Sequence, residues 1–91
     1  LFMKYAMALT ISGRVQGVGF RFSTVHKAEQ YDIKGFVKNQ PDGTVYIEAE
    51  GEAEDLNHFV NWCNEGPPSA KVENVDKQEI PIQNYSRFGV K

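Results

Sequence analysis

The chain has 91 residues, 41% of them hydrophobic and 12% aromatic, which is enough for one domain with its own core and too few for two. Its formal charge is −2, with ten Lys and Arg scattered along it, so bulk electrostatics do not favour a nucleic acid and any anion chemistry has to be local. The single cysteine, Cys63, excludes an internal disulfide and every multi-cysteine zinc pattern, and with no leader pattern it points to a reducing cytoplasm; no apolar run approaches the roughly 20 residues that span a membrane.

Leu1 and Phe2 precede a methionine that would serve as the start, so residues 1–3 are set aside from the fold. Tyr5, Met7, Leu9 and Ile11 alternate with Ala6, Ala8 and Thr10, the pattern of a half-buried strand. Gly13 to Gly19 holds three glycines and reads as a loop. Phe20 to Tyr31 contains neither Gly nor Pro, and Phe22, Val25 and Ala28 recur at helical spacing, which predicts a first helix. His26 on this helix is read as a solvated or packed side chain. Ile33 to Gln40 and Thr44 to Glu50 are predicted strands joined by the turn Pro41-Asp42-Gly43, with Val45, Ile47 and Ala49 on one face and Tyr46, Glu48 and Glu50 on the other. Gly51 is expected to end that strand.

Ala53, Leu56, Phe59, Val60 and Cys63 then form an apolar helical stripe. Acidic residues stand in its first turn, where the helix dipole favours them, and Gly66-Pro67-Pro68 stops it. Cys63 on the stripe reads as core rather than nucleophile. Ala70, Val72 and Val75 mark a further strand whose change of parity predicts a bulge, and Pro81 breaks it. Phe88 and Val90 share a face of a last short strand that Gly89 weakens. The order β-α-β-β-α-β plus a C-terminal strand predicts a single α+β domain, a ferredoxin-like pair of split βαβ units. Its sheet would be mainly antiparallel, with both helices on one face.

The segment from Gly13 to Arg21 is the candidate functional element. It joins a strand to a helix start, where backbone N–H groups lack intrahelical partners and carry roughly half a positive charge. Glycines at 13, 17 and 19 allow the backbone to curl and an oxyanion to come close. Arg21 in the first turn opposes the dipole and makes sense if an anion shares the site, since its planar fork grips two oxygens of a phosphate. The spacing fails as a Walker loop, because Gly17 follows Gly13 after only three residues and precedes Val18, and as a dinucleotide fingerprint, because Phe22 stands where Gly or Ala is needed. A cysteine-phosphatase loop would need an arginine at position 69, which is Ser69.

The run Gly13-Arg14-Val15-Gln16-Gly17-Val18-Gly19-Phe20-Arg21 resembles the signature of the acylphosphatases, of the small stand-alone bacterial and archaeal kind, at all nine positions. Further matches are Gly35-Phe36-Val37-Lys38-Asn39, Asp42-Gly43-Thr44-Val45, and Gly66-Pro67 with Ala70 and Val72, so the resemblance covers nearly the whole chain. Phe88-Gly89-Val90-Lys91 departs from the family's bulkier ending. The resemblance implies that Arg21 binds phosphate, that the N–H groups of Val15, Gln16, Gly17, Val18, Gly19 and Phe20 close around it, and that Asn39 positions an attacking water. Geometry agrees. In such a sheet the first two strands run parallel with the third between them, which puts Asn39 about 10 Å from the end of the first strand, on the same edge.

The missing groups fit the same reading: there is no His pair, no carboxylate cluster at metal spacing and no serine elbow. An alkyl phosphate ester would need a proton delivered to its leaving group, whereas an acyl phosphate departs as a carboxylate whose conjugate acid has a pKa of about 4. Positioning and charge stabilisation then suffice. The expected activity is hydrolysis of acyl phosphates by a monomer without metal or cofactor, its partners being an acyl phosphate and inorganic phosphate. Broad tolerance of the acyl group is expected, because no large side-chain pocket is evident. Two alternatives remain. One is an acylphosphatase-like module such as that in hydrogenase-maturation carbamoyltransferases, disfavoured by the absence of a further domain after Lys91. The other is an RNA-binding ferredoxin-like domain, faintly echoed by Lys34-Gly35-Phe36-Val37 but set on the wrong strand for it.

Overall fold

The long first strand, β1 (Lys4–Arg14), leads through the glycine loop into helix α1 (Phe20–Gln30). Then follow β2 (Lys34–Asn39), β3 (Val45–Glu52), helix α2 (Ala53–Glu65), β4 (Lys71–Ile80) and the short β5 (Phe88–Val90). The computed structural model describes residues 3–91, so the expectation for Leu1 and Phe2 lies outside them, while Met3 sits exposed ahead of β1. The strands form one sheet in the order β4-β1-β3-β2-β5. β3 pairs antiparallel with both β1 and β2, β4 pairs antiparallel with β1, and only β2–β5 is parallel. This is the predicted ferredoxin-like α+β architecture. Among the described residues no helix is long and apolar enough to cross a membrane.

Strand alternation sends Leu9, Ile11, Val37, Val45, Ile47 and Ala49 to the helix side, where they are buried with Phe20 and Ala28 of α1 and Leu56, Phe59, Val60 and Cys63 of α2. Cys63 is core, as predicted, and burial pushes its thiol up, away from reactivity. The α1 face differs from the expected one. The buried positions are Phe20, Thr24 and Ala28, one per turn at i, i+4 and i+8, while Phe22 is 75% exposed. Thr24 can face the core because its hydroxyl donates to the Phe20 carbonyl at 2.7 Å, so no polar atom is stranded. His26 is exposed, edge-on to Phe22. No glycine ends α1. Asp32 instead adopts the left-handed conformation, φ 56°, and the Ile33 N–H closes on the Ala28 carbonyl.

Two other boundaries move. Gly51 does not end β3 but pairs with Tyr5 inside it, and a side chain there would collide with Ile33. The parity change in β4 is a bulge: Ser12 faces Asn74 and Gly13 faces Val72, leaving Glu73 as the extra residue. At Gly13, with φ 123°, a Cβ would lie 2.2 Å from the Lys71 carbonyl oxygen. Only glycine lets β4 approach this closely as β1 turns into the loop.

The sheet's other face is not simply solvated. Glu50, expected there with Tyr46 and Glu48, is 1% exposed. Its carboxylate accepts N–H bonds from Gln83, Asn84 (3.1 Å) and Tyr85 (3.0 Å), tying the β4–β5 connection across the sheet. Beside it, the hydroxyls of Tyr46 and Tyr85 both donate to Glu48, each at 2.6 Å. Burial first, then these bonds and the carboxylate charge, push both phenols up to about 12 from an ordinary 10.

Gly13→Ala should destabilise the fold by about 3 kcal/mol or more, combining left-handed strain with a backbone clash, read from urea unfolding. Because the folded tyrosine values lie above the unfolded one, the stability contributed by Tyr46 and Tyr85 is complete below pH 10 and is lost as pH rises towards about 12. Tyrosinate absorbance should show two of the four tyrosines ionising near pH 12, and Glu48→Ala should lower both values.

Candidate active site

The loop between β1 and α1 is built on left-handed glycines. Gly17 has φ 73°, and Gly19, the N-cap residue of α1, has φ 78° and ψ 18°, so the cap carries no side chain over the helix start. Nothing lies within 4 Å of where a Cβ would sit at either glycine, so their need is conformational and the approach to the loop stays open. Among the described residues, the N–H groups of Gln16, Gly17, Val18, Gly19 and Phe20 have no carbonyl or side-chain acceptor outside regular helix and strand pairing. The first turn of α1 contains no acidic side chain, and Arg21, exposed, belongs to no ion pair among the described residues. A helix N-terminus, uncommitted donors and a free guanidinium thus meet with no negative charge to offset them.

Two buried side chains anchor this loop from beneath. Val15 is 1% and Phe20 2% exposed, and the Phe20 ring lies 5.5 Å from that of Trp62. A third residue fixes it laterally. Gln16 Nε2 donates to the carbonyls of Gln40 (2.8 Å) and Thr44 (2.9 Å), the two ends of the β2–β3 turn. That turn is itself rigid: the Gln40 N–H bonds the Thr44 carbonyl, and Asp42 accepts from both the N–H and hydroxyl of Thr44, which hold its carboxyl below the usual range.

Asn39 is the last residue of β2, on the helix side of the sheet with Val37. The register runs Ile11–Val45–Asn39 across three strands, so Asn39 sits two strands from the end of β1, as expected. Its Oδ1 is buried and no donor of the protein reaches it among the described residues. Val15, Gly17, Gly19, Phe20, Arg21, Phe22, Asn39 and Val90 line one cleft of about 240 Å³. This is below the roughly 300–1,000 Å³ of typical drug-sized pockets and matches a compact polar group rather than a nucleotide. Of the residues singled out in the sequence, only Gln16 and Val18 lie off the cleft wall. Gln16 faces the turn, and Val18 packs against the core. No group of three or more His, Cys, Asp or Glu among the described residues could hold a metal ion.

A family model described as Acylphosphatase matches residues 7–90. The chain belongs to the acylphosphatase family. It is similar to an acylphosphatase of Archaeoglobus fulgidus, 47% identical over 85 residues that cover 93% of this chain and 96% of that protein. It is also similar to the solved structure of an acylphosphatase from Coxiella burnetii, with a TM-score of 0.93, 42% identity and coverage of 97% and 93% of the two chains. The fold recurs in T. kodakarensis HypF, at TM-score 0.85 and 34% identity, where it matches 96% of this chain but only 12% of that one.

In this cleft, Phe22, Val90 and the Gln16 clamp lie beyond the motif reading. Strand parity carried a signal for Val90, which shares a face with buried Phe88, but Phe22 was read only as one of the apolar residues at helical spacing and the bonds of Gln16 depend on a tertiary approach. Gln16→Ala should cost about 1–3 kcal/mol for the two bonds lost, measured by chemical denaturation. Gln16→Glu, which offers no N–H to the two carbonyls, should cost at least as much at neutral pH.

Proposed function

We propose that this acylphosphatase hydrolyses the carboxyl–phosphate bond of acyl phosphates to a carboxylate and inorganic phosphate, with the phosphoryl group held in the β1–α1 loop. The observation that carries this reading is the convergence of Arg21, the uncommitted loop N–H groups and Asn39 on one small cleft. The N–H groups of Val15, Gln16, Gly17, Val18, Gly19 and Phe20 surround the phosphoryl oxygens, and the Arg21 guanidinium binds two of them. Asn39 Oδ1, buried without a protein donor, accepts a hydrogen bond from a water and aims its lone pair at phosphorus.

Attack forms the new O–P bond as the bond from phosphorus to the acyl oxygen breaks, and the electron pair leaves on the carboxylate. The leaving group needs no proton, and a substrate phosphate oxygen accepts the one released by water, so no protein acid or base is required. The charge spread over the equatorial oxygens meets fixed donors that need no rearrangement. The reaction as written uses no metal ion. A monomer in the reducing cytoplasm completes the reading, supported by a lone, buried Cys63 that has no role in catalysis.

Purified protein should hydrolyse benzoyl phosphate at undiminished rate in the presence of chelator; abolition by chelator would overturn the metal-free mechanism. Arg21→Ala should lower kcat by about 10²–10³-fold or more and weaken inhibition by inorganic phosphate. Asn39→Ala should lower kcat while largely keeping phosphate inhibition, and full kcat in that variant would refute its role in placing water.

A further inference from the structure

Resting on the reading of the cleft as an acyl-phosphate site, we propose that Phe22 and Val90 form its acyl-binding wall. They give the enzyme a preference for aromatic and apolar acyl groups over compact ones. The phosphoryl group requires only the polar part of the cleft: the loop donors, Arg21 and Asn39. Yet the same cleft is also lined by two largely exposed apolar side chains, Phe22 at 75% and Val90 at 52%.

Core packing accounts for neither. Phe22 lies two positions from Phe20, the buried residue of that turn, and so points away from the face that α1 buries through Phe20, Thr24 and Ala28. Its aromatic neighbour is the exposed His26, edge-on with ring centroids 6.0 Å apart. Val90 is held at the cleft by the parallel pairing of β5 with β2, where it faces Val37, and by the Lys91 N–H on the Val37 carbonyl at 2.9 Å. Exposed apolar side chains are ordinary singly, but these two line one cleft and offer something apolar a surface to lie on.

The phosphoryl site determines what that is. With phosphate in the loop and water on Asn39, in-line attack puts the acyl oxygen on the side opposite the water. Of the residues that line the cleft, Phe22 and Val90 are the exposed apolar ones, whereas Val15 and Phe20 are buried beneath it. The acyl group therefore extends along the mouth, where a ring can lie against Phe22 and Val90. An acetyl methyl offers little surface to either residue. The broad tolerance expected from sequence is sharpened into a graded one.

The test measures kcat/KM for benzoyl phosphate and acetyl phosphate in the wild-type protein and in Phe22→Ala, Phe22→Tyr and Val90→Ser, with the inhibition constant of inorganic phosphate measured in parallel. The readout is the change in the benzoyl-to-acetyl ratio, which cancels the intrinsic difference in reactivity of the two anhydrides. Phe22→Ala should lower the ratio by roughly two- to tenfold, the worth of one aromatic contact, chiefly through KM for benzoyl phosphate. Phe22→Tyr should retain it, Val90→Ser should lower it by a smaller factor, and phosphate inhibition should shift less than twofold in Phe22→Ala. A ratio unchanged in both Phe22→Ala and Val90→Ser, with hydrolysis intact, overturns the wall and leaves the phosphoryl site standing. Failure of the wild-type protein to hydrolyse either compound overturns the underlying reading.

Discussion

β3 is hydrogen-bonded on both sides, to β1 and to β2, and everything else in the molecule follows from that placement. Because both neighbours run antiparallel to it, β1 and β2 run parallel to each other and their C-terminal ends finish on one edge. The chain must cross the sheet to get from one to the other, and α1 makes that crossing. The start of α1 is thus fixed at the edge where β2 ends. Two short segments about twenty residues apart in sequence, Gly13–Arg21 and Asn39, become neighbours without any long loop to hold them. The donors of Gln16 then lock the two segments to each other.

The cleft carries unusually few charges. Its charges are a helix terminus, one guanidinium and a set of backbone N–H groups, all supported by strands and a buried helix face. Backbone donors hold their positions far better than long side chains, and the closest supports, Val15 and Phe20, are among the most buried residues of the chain. A cluster of this kind suits a substrate whose leaving group is already stable as an anion. It would be a poor catalyst for an ester that needs a proton, because the cleft lining contains no carboxyl, imidazole or thiol.

Much of this was legible in the residues themselves. Period-two and period-3.6 patterns located all seven elements, and the slip in parity after Val72 foretold a bulge that Gly13 makes possible. The nine-residue loop motif and Asn39 named the polar half of the cleft. The failures share a physical origin. The spacing of Phe22, Val25 and Ala28 marked a helix but not its buried face, because α1 is barely amphipathic and a threonine that satisfies its own hydroxyl took the inward position. Gly51 looked like a strand end because its packing against Ile33 is tertiary. Glu50 looked like a surface residue because its partners are backbone N–H groups 33 to 35 positions away, which no side-chain pattern encodes. Local signals report what a segment can form. They are silent on which distant backbone comes to rest on it.

Glu50 also links the two faces of the sheet. Its carboxylate gathers the N–H groups of Gln83, Asn84 and Tyr85 on the face away from the helices, and three residues later the chain enters β5, whose Val90 reaches the cleft on the other side. β5 is only three residues long, so its setting depends on the strapped segment before it as well as on its pairing with β2 and the burial of Phe88. The cleft mouth is therefore set partly from behind. Neither Glu50 nor the Pro81–Arg87 segment it gathers lines the cleft that holds Arg21 and Asn39. The residues that set β5 and those that build the β1–α1 loop are thus different, and can diverge at different rates.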